Sequence, residues 1–334
     1  MKVLGIESSC DETGVAVYCS EKGLLGHKVN SQIDLFTEYG GVIPEIAARD
    51  HSVKIIKLLE KLLSELNLSL ENIDLIAYTV GPGLIGSLMV GETVAKTIAK
   101  TKNIEILPIH HLEGHILAPG LEDKDVPPPY LCLLVSGGHT QIIDCKSYGD
   151  YTIIGETIDD ACGEAFDKVG KLLNLEYPGG PKVSKLAESG DSRRFKFPRA
   201  LTKDRNYNFS FSGLKTSVLY TVNDSEESDY ADIAASFQEA VIDVLTKKVT
   251  WALEDTGHQR LICSGGVAAN KNLRKRLQLL SAESNIEVLY PSLEFCTDNA
   301  AMIAYAGYIR KKFNLRGHQT NFARPRWPLG ELYA

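Results

Sequence analysis

The chain reads as an α/β protein in which one unit is used twice. Three observations predict this. An apolar strand at residues 3–7, a polar turn at 8–14 and a return strand at 15–18 are repeated in form by a strand at 130–135, a turn at 136–139 and a return strand at 140–143. A buried strand at 74–80 that runs into Gly81-Pro82-Gly83 and a helix is echoed by 261–263, the turn Ser264-Gly265-Gly266-Val267 and the helix after Asn270. Between the copies stands Pro127-Pro128-Pro129, a suitable boundary. The division predicted is a first lobe at 1–126 and a second at 127–299, with an insertion at about 175–230. A C-terminal helix, about 300–325, would pack back on the first lobe. A ligand would lie between the halves, met by both hairpin tips.

Taken in order, the first hairpin carries two adjacent acids, Asp11 and Glu12, at its tip. Residues 45–66 follow as an amphipathic helix, with Ile46, Ala47, Val53, Ile56, Leu59 and Leu62 on one side. The glycine turn at 81–83 opens a helix of small residues at about 85–100. Such a turn aims backbone N–H groups at an anion, though tight packing needs the same glycines. Ile104, Ile106 and Leu107 make a strand-like run that Pro108 closes, and Pro119-Gly120 closes the short helix beyond it. In the second half, residues 158–169 read as a helix with Asp160, Glu164 and Asp167 on one stripe. Ala161, Cys162, Gly163 and Ala165 make that stretch too small and apolar for a plain exposed helix. A rigid glycine turn, 177–181, leads into Lys182, Lys185, Arg193, Arg194, Lys196, Arg199, Lys203 and Arg205, interleaved with Phe195, Phe197, Tyr207, Phe209 and Phe211. Cations mixed with aromatics suit phosphate contact and base stacking; a solvated insertion with buried aromatics suits them equally. Residues 231–254 are a further amphipathic helix, and Thr297 is the expected N-cap of the last one, with Asp298 in its first turn. Scattered cations end the chain: Arg310, Lys311, Lys312, Arg316, Arg324 and Arg326.

Composition narrows the class. With 334 residues, 44% hydrophobic and 24% charged, the chain suits a globular protein of two domains. No apolar run reaches the roughly 20 residues that span a bilayer. The opening residues 1–6 run straight into Glu7 without the form of a signal peptide. Seven cysteines, none in a Cys-x-x-Cys pair, point to reduced thiols and a cytoplasmic protein. A net charge of −7 repels nucleic acid overall, so any contact needs a local basic patch or a partner.

The chemistry centres on His110-His111-Leu112-Glu113-Gly114-His115. Imidazoles four residues apart share one helix face and can reach one ion at roughly 2.1 Å. The alternative is a solvated helix end. The place, at the carboxyl end of a strand, is where ligands bind in α/β sheets. In the metalloprotease helix His-Glu-x-x-His the glutamate follows the first histidine. Here Glu113 lies midway between His111 and His115 and points away from their face, which makes a peptidase geometrically poor. Asp298 offers a hard oxygen as a third ligand.

Glu7-Ser8-Ser9-Cys10-Asp11-Glu12-Thr13, Gly81-Pro82-Gly83, His111-Leu-Glu-Gly-His115, Leu134-Val135-Ser136-Gly137-Gly138-His139-Thr140, Asn208-Phe-Ser-Phe-Ser-Gly-Leu-Lys215, Ser264-Gly265-Gly266-Val267-Ala-Ala-Asn270 and Cys296-Thr-Asp-Asn-Ala300 together resemble the TsaD family, nearly end to end over about 1–320. Relatives of that family sit in the KEOPS complex. The resemblance implies an actin/Hsp70/sugar-kinase-like (ASKHA) fold, two ribonuclease-H-like lobes around a nucleotide cleft. It implies transfer of threonylcarbamoyl from threonylcarbamoyl-AMP to N6 of tRNA adenosine 37, in tRNAs reading codons that begin with A. It implies one iron or zinc ion held by His111, His115 and Asp298. Leu134, Val135, Ser136, Gly137 and Gly138 would line the phosphate and carbamoyl region, and Asp167, Gly180 and Asn270 the adenosine. Asp11, Glu12 and His139 would be the acid–base candidates. Implied partners are tRNA, the paralog TsaB pairing through the first lobe, the ATPase TsaE, and TsaC upstream, with no membrane. Some members carry aspartate at the position of Ser184, which here can make only a weaker neutral hydrogen bond. Rival functions are a kinase or ATPase of the same fold, a metalloendopeptidase, and a scaffold without catalysis.

Overall fold

The computed structural model describes residues 1–122, 126–315 and 322–332. Two compact units emerge. The first comprises Met1–Pro128, Cys145–Thr152 and Pro291–Ala334, the second Pro129–Asp144 and Ile153–Tyr290. The first begins with β1 (Lys2–Glu7), β2 (Glu12–Cys19), β3 (Gly23–Ser31), α1 (Ile33–Thr37), α2 (Pro44–Glu65), β4 (Leu75–Gly81), α3 (Ile85–Lys102), β5 (Glu105–His110) and α4 (His111–Leu117). The second is formed by β6 (Tyr130–Val135), β7 (Thr140–Ser147), β8 (Asp150–Glu156), α5 (Cys162–Leu172), α6 (Gly179–Ala187), α7 (Ser212–Asn223), α8 (Tyr230–Thr256), β9 (Arg260–Ser264), α9 (Lys271–Ser284) and β10 (Glu287–Leu289). The last helix, α10 (Ala300–Lys312), returns to the first unit. The tip of the β7–β8 connection also belongs there, where Tyr148 stacks on Phe313 at 4.6 Å.

The duplication is visible in strand order. The first sheet runs β3-β2-β1-β4-β5 and the second β10-β9-β6-β7-β8. Counted from the first strand of each half, the second is the first order written backwards. In the first sheet β2 pairs antiparallel with β1 and β3, while β4 runs parallel to β1 and β5. In the second, β9 runs parallel to β6 and β10. The central strands are apolar without alternation because both faces are covered: Val3, Leu4 and Ile6 are at most 1% exposed, and all of β6 is buried.

Small residues set how closely α10 approaches the first sheet. A Cβ on Gly5 would stand 2.3 Å from the Ala300 carbonyl oxygen, and one on Gly307 2.5 Å from Ala77 Cβ. The same economy governs α3. A Cβ on Gly91 would meet Ser8 Oγ at 2.4 Å, and one on Gly83 the Ser9 carbonyl at 2.4 Å. The small residues of α3 therefore let the first hairpin turn close against the helix.

Several expectations are corrected. Pro108 does not close its strand: β5 runs through it to His110. The strand lies at the sheet edge, where a missing N–H breaks no ladder. Helix α5 starts at Cys162, so Asp160 lies before it and the three acids share no helical stripe. Asn299, not Thr297, caps α10, its side chain accepting from the Met302 N–H at 2.9 Å. Asp298 thus precedes the cap. On α2, Val53 and Ile56 stand 55% and 43% exposed, off the buried face. The glycine turn at 81–83 receives the chain's own tail: Gly83 N–H donates to the Pro325 carbonyl at 3.2 Å, and Gly81 packs on the Arg324 carbonyl. Packing, not an anion, accounts for those glycines. The expected last helix, about 300–325, ends at Lys312; residues 316–321, with Arg316, lie outside the described residues. Among the described residues no helix is long and apolar enough to cross a membrane.

Gly5→Ala should destabilise the protein by about 1–3 kcal/mol, since neither β1 nor the α10 backbone can yield. Gly138→Ala, whose added methyl meets open space, should stay within about 0.5 kcal/mol. Urea unfolding midpoints of the two variants check the contrast.

Candidate metal centre

Three side chains converge in the first unit. His111 and His115 project from α4 with ring centroids 4.8 Å apart. Their Nε2 atoms lie 3.4 and 3.0 Å from the same oxygen, Oδ1 of Asp298. The three donor atoms all fall within 4.8 Å of one another. Ligands at roughly 2.1 Å from one ion stand about 3–4 Å apart; both imidazole–carboxylate distances lie in that range, and the set could close on a divalent cation by drawing the two imidazoles slightly together. His115 is fully buried and Asp298 keeps 22% of its side chain exposed, which leaves one approach for an outside oxygen.

A carboxylate behind the site orients His111. The Nδ1 of His111 lies 3.2 Å from Oε2 of Glu7 and 3.2 Å from Oγ of Ser9. Glu7 is fully buried; Oε1 accepts from the Ser9 N–H at 2.5 Å and Oε2 from the Thr79 hydroxyl at 2.6 Å. With Nδ1 donating to Glu7, the ring's other nitrogen is left to a metal, the arrangement that fixes tautomer and raises basicity at metal sites. Glu7, Ser9 and Thr79 were not singled out from sequence. The available signal was a carboxylate ending the apolar run at residues 3–6 of β1.

The remaining supports follow from local folding. Glu113 indeed points away from the two imidazoles. It is fully buried, accepting from Arg310 at 2.9 Å and from the Tyr151 hydroxyl at 3.3 Å. Arg310 sits on α10, whose entry carries Asp298, so this pair ties the two ligand-bearing segments together. The turn bearing Asp11 and Glu12 is pinned from outside: His51 Nε2 donates to the Cys10 carbonyl at 2.9 Å and Gln32 N–H to the Asp11 carbonyl at 3.0 Å.

Charges are coupled throughout. Burial alone would lower the pKa of His111, but Asp298 and Glu7 overcome it and hold the imidazole well above its usual range. Burial would raise Asp298, yet the two histidines bring it well below the ordinary carboxylate value. Glu7 is also drawn down, by His111 against burial. Glu12 goes the other way: burial, then Asp11 and Asp298, push it well above.

The other predicted residues lie in the second unit. Leu134 and Val135 are 0% exposed and lead into the turn at 136–139. The exposed turn after them closes on itself: Ser136 N–H donates to the His139 carbonyl at 2.8 Å and His139 N–H to Ser136 Oγ at 3.1 Å. Space around Gly137 and Gly138 is open. The first turn of α5 rests on it, Gly163 N–H donating to the Ser136 carbonyl at 3.1 Å. Asp167 accepts from the N–H groups of Gly179 and Gly180 at 2.9 and 3.1 Å. Asn270 caps α9 through Oδ1 and spends both amide protons on Ser184 and Gln238, at 2.9 and 2.8 Å. The basic and aromatic stretch resolves toward the structural reading. Phe197, Phe209 and Phe211 are buried, and Arg194, Arg199 and Arg205 pair with acids on or beside α8.

The raised His111 value fixes a pH dependence. In the metal-free protein its charge contributes stability that is complete below the unfolded value of about 6.5 and fades as pH rises through the higher folded value. A metal must displace that proton, so affinity should rise with pH up to the raised folded value of His111 and level off above it, with proton release on binding below that value. Glu7→Gln should cost roughly 10–100-fold in affinity and shrink the proton release. Calorimetry in buffers of different ionisation enthalpy measures both.

Comparison with known proteins bears on the fold and the family. The chain is similar to full-length HypF solved in its phosphate- and nucleotide-bound form, with a TM-score of 0.64 at 13% identity over 94% of this chain and 47% of that one. HypF of T. kodakarensis gives 0.64 at 15% identity over 94% and 48%. Component A of (R)-2-hydroxyglutaryl-CoA dehydratase from Acidaminococcus fermentans gives 0.55 at 13% over 93% and 99%. The chain spans about half the length of the HypF chains it matches. At these identities the likeness shows the fold: a duplicated α/β architecture of the actin/Hsp70/sugar-kinase class. The sequence pattern of TsaD, tRNA N6-adenosine threonylcarbamoyltransferase, matches residues 23–305. The chain therefore belongs to the TsaD family, whose work is the threonylcarbamoyladenosine modification of tRNA.

Proposed function

We propose that this chain transfers the threonylcarbamoyl group of threonylcarbamoyl-AMP to N6 of adenosine 37 in tRNAs that read codons beginning with A. The observation that carries the proposal is the convergence of His111, His115 and Asp298 beside the 8–14 turn, with Ser9 Oγ 3.2 Å from His111 Nδ1. A divalent ion held there, iron or zinc, would supply a Lewis acid for the carbamoyl or threonyl oxygens. The adenine amine is a poor nucleophile and the mixed anhydride carries a good leaving group. The protein's task is then to orient and stabilise, with no covalent enzyme intermediate. As N6 bonds to the carbamoyl carbon, the carbon–oxygen bond to phosphate breaks and AMP departs. The proton leaving N6 goes to Asp11, with Glu12 beside it at the hairpin tip; His139 is the other candidate base. Within the turn at 136–138, the backbone N–H groups of Gly137 and Gly138, around which space is open, would bind the phosphate, and Asp167, Gly180 and Asn270 the adenosine. TsaB, TsaE and TsaC would be partners in a cytoplasmic pathway.

A kinase or ATPase of the same fold is the second reading, favoured by the likeness to a nucleotide-bound HypF. It requires ATP turnover with a hydroxyl acceptor and without tRNA. The peptidase reading loses its base, since Glu113 is buried against Arg310.

The test is purified protein with its partners, threonylcarbamoyl-AMP and unmodified tRNA, read by nucleoside mass. Asp11→Asn should lower modification about 10²–10⁴-fold while leaving the adenylate bound; unchanged turnover would remove Asp11 as base. Asp298→Asn should abolish both metal retention and modification. Full modification by a metal-free Asp298→Asn protein would end the metal-assisted account.

A further inference from the structure

The described tail, residues 322–332, is strapped along the first unit by backbone hydrogen bonds that lead to the metal helix. Ala323 N–H donates to Glu92 Oε2 at 2.9 Å, and Arg324 N–H to the Val80 carbonyl at 2.7 Å. Gly83 N–H donates to Pro325 as described above. The strap ends on His110. Trp327 is 4% exposed, its ring centroid lies 4.7 Å from that of His110, and its carbonyl accepts from His110 Nε2 at 2.9 Å. Leu329 and Leu332 are buried beyond it, and the Arg324 guanidinium covers the indole at 5.1 Å.

His110 faces two ways. It is fully buried and is the N-cap of α4, its Nδ1 accepting from the Leu112 N–H at 3.1 Å. That bond fixes the tautomer with the proton on Nε2, which is then available to the Trp327 carbonyl. One ring thus sets where α4 begins and ties that beginning to the strap. His111 is the next residue, and the helix is only seven residues long. A short helix has little internal cooperativity to hold its ends, so what fixes its first turn fixes the ligand there.

We infer that His110 is a positioning residue and that the C-terminal strap, through it, is energetically coupled to metal binding at His111, His115 and Asp298. The inference rests on the metal site proposed above. Coupling between two sites is reciprocal: whatever factor the strap contributes to metal affinity, the metal must return to the strap.

The experiment uses the full chain and Co²⁺ as the probe. His110→Asn keeps an N-cap acceptor of equal quality but is too short to reach the Trp327 carbonyl. Its Co²⁺ affinity should fall about tenfold, within the range usual for coupled sites, with circular dichroism unchanged. Trp327→Ala should act in the same direction. Saturating Co²⁺ should slow amide exchange of residues 323–332 by a similar factor in the parent protein and leave it unchanged in His110→Asn. Equal Co²⁺ affinity in parent and His110→Asn, or a slowing of strap exchange that persists in His110→Asn, would overturn the coupling. A parent that binds Co²⁺ tightly with no effect on the strap overturns the coupling alone. A parent that binds no Co²⁺ overturns the metal site with it.

Discussion

A buried imidazole between a fully buried carboxylate and a half-buried one is the constraint on which the rest of the first unit depends. Glu7, His111 and Asp298 lie in a region where unpaired charge costs several kcal/mol per group. They are tolerated because each is partnered: Glu7 by Ser9, Thr79 and His111, and Asp298 by both histidines. The close packing around them serves that arrangement. Gly91 and Gly83 let the 8–14 turn close on α3, and Gly5 and Gly307 let α10 approach the sheet. The approach of α10 brings Asp298 to α4, and the Arg310–Glu113 pair locks it there.

The candidate metal donors, which the structure brings together, were legible in large part because the histidine signal is local. An i, i+4 histidine pair states a helix face by itself, whereas Asp298 had an ordinary reading in the first turn of a helix and entered as a candidate through its hard oxygen. Its supports were not legible. Glu7 and Thr79 come from adjacent strands 72 residues apart, and Arg310 reaches Glu113 across 197. Nothing in either local stretch states such pairings. Tertiary context also overrode local rules. Pro108 sits inside a strand because that strand is an edge, and Asn299 displaced Thr297 as cap. Val53 and Ile56 remain exposed although they fall on the apolar side of α2 by period.

The fold itself was readable from repetition, since strand, turn and strand recur in the same order in both halves, and the two sheets carry one order read from opposite sides. The glycine turns were harder. The same Gly-rich strand-to-helix junction serves two purposes here. At 81–83 it admits the tail. At 264–266, Gly265 has φ +93° and a Cβ would meet the Val135 carbonyl at 2.4 Å, so only glycine fits. Sequence spacing cannot separate a turn shaped for an anion from one shaped for a neighbouring backbone.

The most direct measurement is X-ray absorption of the metal-loaded chain at the metal edge. The account predicts two imidazole nitrogens and carboxylate or water oxygens at roughly 2.0–2.2 Å, with no sulfur, and loss of the signal in Asp298→Asn. A shell containing cysteine sulfur, or an unchanged spectrum in Asp298→Asn, would contradict it.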